Sequence, residues 1–175
     1  LILDLAESGE EPVQVAALRV IPKLVARLYK AKDKHSDTKV KNEDKLLRKN
    51  EALRNRCTDV VKSVLQGGVG PALAAAIAVG KRLKLREALP PGGGRAMAID
   101  TELGVEARRA AIYAIPFTCV YDSSNVDLLL ELMKDPDVKV SAHVTLKQFA
   151  RVRIPLRLDQ WMAWRERQTL LPGED

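Results

Sequence analysis

Four cations near the C-terminal end of the chain have the chemistry of phosphate binding. Lys147, Arg151, Arg153 and Arg157 follow one another closely, and the first acidic residue after them is Asp159. A guanidinium offers several N–H donors in a planar fork that fits a phosphate group by two-point contact. These four cations therefore predict phosphate binding. The alternative is that they lie at a solvated helix end and bind nothing.

Two other segments are rich in cations. In residues 81–86 the candidate phosphate-binding cations are Lys81, Arg82, Lys84 and Arg86. Residues 30–49 contain eight Lys or Arg and four Asp or Glu, so they contribute +4 of the net charge of +6. This balance is compatible with contact to RNA or another anionic surface. For each segment the alternative is a solvated loop or helix face.

The residue types that nucleotide or acid–base chemistry needs do not occur at the required spacing. After Gly80-Lys81 a phosphate-binding loop requires Ser or Thr, and this chain has Arg82. The two histidines are His35, in the Lys-rich segment, and His143, which has no carboxylate at helical spacing. We therefore predict that the chain is not an enzyme and has no catalytic residues.

The two cysteines, Cys57 and Cys119, are far apart in the chain, and no Cys-x-x-Cys pair occurs. A pair of this kind neither forms a disulfide framework nor matches a zinc-binding spacing. We predict two reduced thiols packed in helices, no metal site and no cofactor.

Trp161 and Trp164 are three residues apart in a segment with helical periodicity, so their side chains share one helix face. If that face is exposed, the two indoles are candidate anchors for a partner protein. If it is buried, they cap the core at the end of the chain. Both interpretations stay open.

The composition excludes several classes of protein. The 175 residues are 46 % hydrophobic and 30 % charged, which is typical of a globular chain. Aromatic residues make up 4 %, which argues against β-sandwiches, barrels and proteins that stack nucleic-acid bases on aromatic platforms. The longest apolar run, residues 69–79, is shorter than the roughly 20 residues that a membrane span needs, so we predict none.

The chain begins with Leu1 rather than Met, so we expect a processed or truncated product. Its acidic first residues are unlike a signal or an Arg-rich transit peptide, although a transit peptide already removed would leave the same sequence. We expect an intracellular protein, and both a mitochondrial and a cytoplasmic location stay open.

The periodicity of apolar residues indicates helices throughout, and no segment alternates clearly enough to be a strand. The predicted helices cover residues 1–6, 12–29, 42–66, 71–89, 101–120, 126–134, 138–152 and 156–170. Proline and glycine pairs separate several of them. The fold class is therefore all-α.

Four of these helices repeat one spacing. A small or branched apolar residue is followed by a long polar one, and mostly apolar residues return at offsets of four, seven, eight and eleven. The copies begin at Val13, Leu53, Ala107 and Val138. A helix-pair repeat of about 30 to 45 residues with inserted loops accounts for their separations. Stacked helix pairs join their apolar faces into one continuous core.

The clearest copy has a turn before its helix. Residues 135–142 read Asp-Pro-Asp-Val-Lys-Val-Ser-Ala, and the spacing continues to Leu146 and Phe149. This segment resembles the HEAT-repeat family, including its PBS-lyase-type members, in which an Asp-Pro turn precedes a second helix of pattern Val-Arg…Ala…Ala-Leu…Leu. Lys139 stands in place of the usual Arg and Thr145 in place of the usual Ala. The resemblance covers about two thirds of the chain.

The resemblance implies HEAT-like helix pairs that form a short α-solenoid, and the alternative is an irregular helical bundle. We predict a single helical-repeat domain over residues 1–175, with a Lys-rich insertion over about 30–41 and a Pro/Gly loop over about 90–100.

For function we predict a non-catalytic scaffold in a larger assembly that contacts RNA phosphates and neighbouring proteins. A ribonucleoprotein such as an organellar ribosome is the expected setting. The alternative is a protein–protein adaptor without RNA contact. A helical-repeat enzyme of the lyase or repair type is a third possibility, for which the chain lacks an acid–base pair.

Overall fold

A computed structural model describes residues 1–32, 50–67, 70–85, 88–89 and 93–168. All regular structure in these ranges is helical, and they contain no strand, so the prediction of an all-α fold is confirmed. The helices are α1 (Ile2–Ser8), α2 (Glu11–Lys32), α3 (Glu51–Gly67), α4 (Gly70–Arg82), α5 (Gly93–Ile99), α6 (Val105–Thr118), α7 (Ser123–Leu132), α8 (Lys139–Ala150) and α9 (Leu158–Glu166).

Contacts group the chain into two compact units, Leu1–Leu89 and Pro90–Asp175. The first contains α1 to α4 and the second contains α5 to α9. The single helical-repeat domain over 1–175 stays a prediction beside this division.

Among the described residues of the first unit, four helices pack in a closed ring. Helix α1 packs against α2 and α3, and α4 packs against the same two helices. Their inward sides share one core, whose fully buried members include Leu18, Val60, Val61, Ala76 and Leu83. Since each of these four helices packs against two of the others around a common core, the described part of this unit has the arrangement of a small helical bundle.

In the second unit the helices pack in an open series. Helix α5 packs against α6, α6 against α8, α8 against α7, and α7 against α9. The result is two helix pairs, α5–α6 and α7–α8, that meet through their second helices. This is the arrangement that stacked helix pairs produce, because each pair buries the apolar face of its neighbour.

Two positions of the repeated spacing are buried in all four copies. At offset four they are Ala17, Cys57, Ala111 and Ala142, and at offset eight Ile21, Val61, Ile115 and Leu146. None of these eight side chains is more than 7 % exposed. Residues four apart lie on one face of a helix, so these two offsets mark the face that each helix buries.

Two positions of the repeated spacing are exposed in α2, Val13 at 43 % and Val20 at 37 %. The reason is that the buried face of α2 is centred on Leu18, Ile21 and Val25, each at most 2 % exposed. The stripe in α2 is therefore narrower than the sequence pattern suggests.

The predicted loop over 90–100 is wrong for residues 93–99, which form α5. Gly94 is buried, and a Cβ atom there would lie 3.1 Å from the carbonyl oxygen of Ala111 and 3.0 Å from Thr118 Oγ1. The missing side chain lets the backbone of α5 approach α6 closely. Gly94, in a glycine run that the sequence suggests is a break, thus serves helix packing, while residues 90–92 lie outside the described residues.

Helix α4 ends at Arg82, seven residues before the end that its periodicity predicts. Lys84 adopts a left-handed conformation with φ of 53°. The Leu85 N–H donates to the carbonyl oxygen of Gly80 at 2.8 Å, and that of Lys84 to the carbonyl oxygen of Lys81 at 3.2 Å. These two bonds form a Schellman end, and the fully buried Leu85 provides its apolar contact.

The ends of several other helices differ from those that the sequence predicts. Helix α2 continues to Lys32, so the predicted Lys-rich insertion over 30–41 begins inside this helix. Its remainder, and the start of the predicted helix over 42–66, fall in residues 33–49, outside the described residues. Helices α8 and α9 are shorter than predicted.

Candidate functional site

Lys147 and Arg151 lie at the C-terminal end of α8. Lys147 is in the last turn of the helix, and Arg151 is the residue that directly follows it. Arg151 has φ of 57° and ψ of 32°, the left-handed conformation that ends α8. The last turn of a helix exposes carbonyl groups with partial negative charge, which stabilises cations there.

The segment 152–157 after α8 is held by two side chains of the second unit. His143 Nε2 donates to the carbonyl oxygen of Ile154 at 2.9 Å, and Trp161 Nε1 donates to that of Pro155 at 3.0 Å. The two rings also contact each other edge to face, with centroids 5.8 Å apart. The extended backbone that carries Arg153 and Arg157 is therefore fixed to the core.

We call Lys147, Arg151, Arg153 and Arg157 the basic corner. Arg157 Nη2 lies 2.8 Å from Asp159 Oδ2, and its hydrogen bond holds the pKa of Asp159 below the ordinary value. Within the described part of the chain, the other three cations have no carboxylate partner. Lys147 is half-buried, whereas Arg151 and Arg153 are exposed. Three of the four predicted charges are therefore available to an anion.

The two tryptophans are buried, so they are not an exposed anchor. Trp161 is fully buried and Trp164 is 9 % exposed, and their rings meet edge to face with centroids 5.4 Å apart. They cap the core of the second unit, which is the other interpretation of the sequence. The buried position is favourable because the indole N–H of Trp161 donates to the carbonyl oxygen of Pro155 and so needs no water.

The cations of residues 81–86 lie at the end of α4 in the first unit. Lys81 is half-buried, and this burial lowers its pKa. Arg82 is exposed and shares the last helical turn with Lys81, where both favour the helix dipole. Lys84 is exposed in the turn that follows, and Arg86 lies outside the described residues. Like Lys147 and Arg151 at the end of α8, these cations therefore favour the end of the helix that carries them.

A cleft of about 530 Å³ lies beside the basic corner in the second unit. Its lining comes from the end of α6, the residues after it and the end of α8: Pro116, Cys119, Tyr121, Gln148, Phe149, Ala150 and Arg151. Tyr121 and Phe149 contact each other edge to face, with centroids 5.1 Å apart. Sequence reasoning missed this cleft, because no spacing relates two residues that only α6–α8 packing brings together.

Residues that could bind a metal ion do not cluster in the described ranges. No three His, Cys, Asp or Glu side chains gather there as metal ligands would. Burial raises the pKa of the Cys57 thiol to about 11, so this group is unsuited to act as a nucleophile. His143 is 9 % exposed and its Nε2 is used by the backbone of Ile154.

Among the described helices, none is both long and apolar enough to cross a membrane. The fold and the site together define an all-α protein whose second unit presents a basic corner beside an aromatic cleft. Compared with protein-family models, curated proteins and solved structures, the chain gives no match. The HEAT-repeat resemblance therefore stays a prediction.

Proposed function

We propose that this chain is a non-catalytic helical scaffold of a larger assembly and that its basic corner binds RNA phosphates. Lys147, Arg151 and Arg153 carry the proposal, because they have no carboxylate partner within the described residues. A cation already paired must lose that pair before it binds phosphate, whereas these three need not. Contacts of this kind position a protein on RNA without reading its bases.

The backbone that carries Arg153 is held in place by its neighbours, which favours binding. The ends of segment 152–157 are tied to the core by α8 on one side and α9 on the other. His143 and Trp161 fix its middle through hydrogen bonds to the backbone. A preorganised surface loses little conformational entropy when a ligand binds. A ribonucleoprotein such as an organellar ribosome is the setting we propose, on the basic net charge of +6 and the helical-repeat architecture.

The salt dependence of RNA binding tests this function. Each phosphate contact lowers the logarithm of affinity by about 0.7 per logarithmic unit of salt for single strands, so three contacts predict a slope of about −2. In the triple variant Lys147→Gln, Arg151→Gln, Arg153→Gln, the slope of log affinity against log salt concentration should be closer to zero by about 2. Fluorescence anisotropy with a labelled RNA decamer at several KCl concentrations measures it.

A matched control removes three exposed cations from the first unit, by Arg19→Gln, Lys23→Gln and Lys62→Gln. The net charge falls equally, so only a local effect distinguishes the two variants. An equal loss of slope in both would show that general charge, and not the basic corner, determines binding. A near-flat slope for the unchanged protein would rule out phosphate binding altogether.

A protein–protein adaptor is the second candidate, and exposed apolar residues on α8 favour it. Val140 is 57 % and Val144 is 36 % exposed, and the two are one turn apart on the same face. For an adaptor, charge reversal at Arg151, Arg153 and Arg157 should leave partner binding intact. Replacing both valines by Asn should abolish it, and Val13→Asn, at a similarly exposed position of α2, is the control.

A further inference from the structure

The cleft at the ends of α6 and α8 adjoins the basic corner, because Arg151 belongs to both. We propose that this cleft holds one unpaired nucleotide of the RNA whose phosphates bind the basic corner, an inference that rests on the proposed function. It adds a preference for single-stranded RNA to a surface that would otherwise read only phosphates.

Two aromatic rings belong to the apolar part of the cleft. Tyr121 is 43 % exposed and Phe149 is partly buried, and their planes meet at 88°. In an edge-to-face pair, the ring that presents its edge keeps both of its faces clear of its partner. We assign stacking to the exposed part of the Tyr121 ring, because every base can stack on an aromatic face.

The low aromatic content of the whole chain argues against base stacking, but content does not describe position. The chain has three Tyr and two Phe, and one of each meets in this cleft. Stacking one nucleotide needs a single well-placed ring. The local arrangement therefore outweighs the average composition.

The polar part of the cleft favours an anion. Its lining contains Arg151 and no Asp or Glu, and within the described residues Arg151 has no carboxylate partner. The nearby cation Arg165 is already compensated, with its Nε 2.6 Å and its Nη2 3.0 Å from the carboxylate oxygens of Asp127. Arg151 is thus the cation that remains to meet a phosphate at this edge.

The dimensions and the remaining lining also fit a nucleotide. A volume of about 530 Å³ lies in the range of roughly 300–1,000 Å³ that is typical of small-ligand sites. The exposed Gln148 offers both amide donors and a carbonyl acceptor to the edge of a base. An apolar stacking surface, a polar edge and a cation are the three parts that a nucleotide requires.

The test compares a single-stranded adenine decamer with an RNA duplex of the same length, by anisotropy at fixed salt. Tyr121→Leu should weaken binding of the single strand about tenfold, since stacking on one ring contributes roughly 5- to 150-fold in affinity. Tyr121→Phe keeps the ring and should keep the affinity. Neither variant should change binding of the duplex, because its bases are already stacked.

The outcomes separate this inference from the proposed function. If Tyr121→Leu leaves single-strand affinity unchanged while binding still weakens with salt, the cleft does not take a base, and only the phosphate surface stands. If neither RNA binds the unchanged protein, both proposals fall. If Tyr121→Leu instead weakens binding of an acidic test peptide and leaves RNA binding intact, the cleft is a protein-binding site and the nucleotide inference is wrong.

Discussion

Arg108 of α6 and Asp135, in the turn before α8, form an ion pair with 2.7 Å between Nη2 and Oδ2. The Arg108 side chain is 8 % exposed, and its Nε also donates to the carbonyl oxygen of Ala98 in α5 at 3.2 Å. One buried guanidinium thus joins α5, α6 and the turn that starts α8. The neighbouring Arg109 donates to the carbonyl oxygen of Asp137 in the same turn, at 2.8 and 2.6 Å.

Loss of the Asp135 carboxylate should destabilise the second unit. Asp135→Asn leaves the buried Arg108 without its charged acceptor, and we expect the free energy of unfolding to fall by about 1–3 kcal/mol. Both tryptophans belong to this unit, so tryptophan fluorescence during urea unfolding reports it selectively. Asp137→Asn is the control, since only the backbone of Asp137 takes part in these contacts.

The same carboxylate predicts a dependence on pH. The hydrogen bond from Arg108, followed by that from the Asp137 N–H, holds the pKa of Asp135 below its ordinary value. Its contribution is therefore present above the unfolded pKa of about 3.9 and is lost as pH falls through the folded pKa. Asp135→Asn should lose less stability than the unchanged protein between pH 5 and pH 2. An identical loss in both would contradict the pairing.

Removal of the Trp161 ring should destabilise the second unit strongly. Trp161→Ala empties a fully buried site and deletes the hydrogen bond to Pro155, so we expect a cost of about 3–5 kcal/mol. Urea unfolding followed by the remaining Trp164 measures it. Met162→Ala, at a position 42 % exposed on the same helix, should cost much less. Comparable losses for both variants would show that the core does not depend on the indole.

Two glycine substitutions should change the free energy of unfolding in opposite directions. In Gly94→Ala the new Cβ would lie 3.1 Å from the Ala111 carbonyl oxygen, backbone that cannot yield easily, so we expect a loss of about 1–3 kcal/mol. In Gly80→Ala the nearest atoms belong to the Leu89 side chain at 3.4 Å or more. That contact is ordinary, and alanine in a helix gains up to about 1 kcal/mol. Thermal unfolding by circular dichroism compares them, and destabilisation of both would contradict the distinction.

The two thiols should differ in reactivity. Cys57 is fully buried and its pKa is raised to about 11 by burial, so roughly one molecule in a thousand carries the thiolate at pH 8. Cys119 is partly exposed. Iodoacetamide should therefore modify Cys119 in the folded protein and Cys57 only after unfolding. Mass spectrometry of Cys119→Ser and Cys57→Ser variants assigns each site, and rapid labelling of Cys57 would disprove its burial.

Much of the helical organisation follows from the sequence. Apolar residues at offsets of four and eight, such as Ala111 and Ile115, are buried in each copy because helical periodicity is a local property. The helix ends were harder to predict. The Schellman end at Lys84 and the close approach at Gly94 depend on which neighbour is present, so the glycine run of α5 predicts a loop where the structure has a helix.

The candidate site shows the same division. The cations of the basic corner were recognisable from their spacing, but Arg157 is neutralised by Asp159, whereas Lys147, Arg151 and Arg153 have no such partner in the described ranges. The spacing of Trp161 and Trp164 is compatible with an exposed anchor and with a core position, and only their burial in the structure distinguishes the two. The aromatic cleft had no sequence signal.

By itself the sequence determined the helical class, the buried stripe of each repeated helix and the positions of the cations, because all three depend on residues within a few turns of one another. Only the tertiary structure decided that, among the helices described, α1 to α4 close into a ring in the first unit while α5 to α9 pack in series in the second. It also placed Tyr121 against Phe149 and Arg108 against Asp135. Such contacts join distant segments, and their free energy depends on which faces meet, a property that local periodicity does not specify.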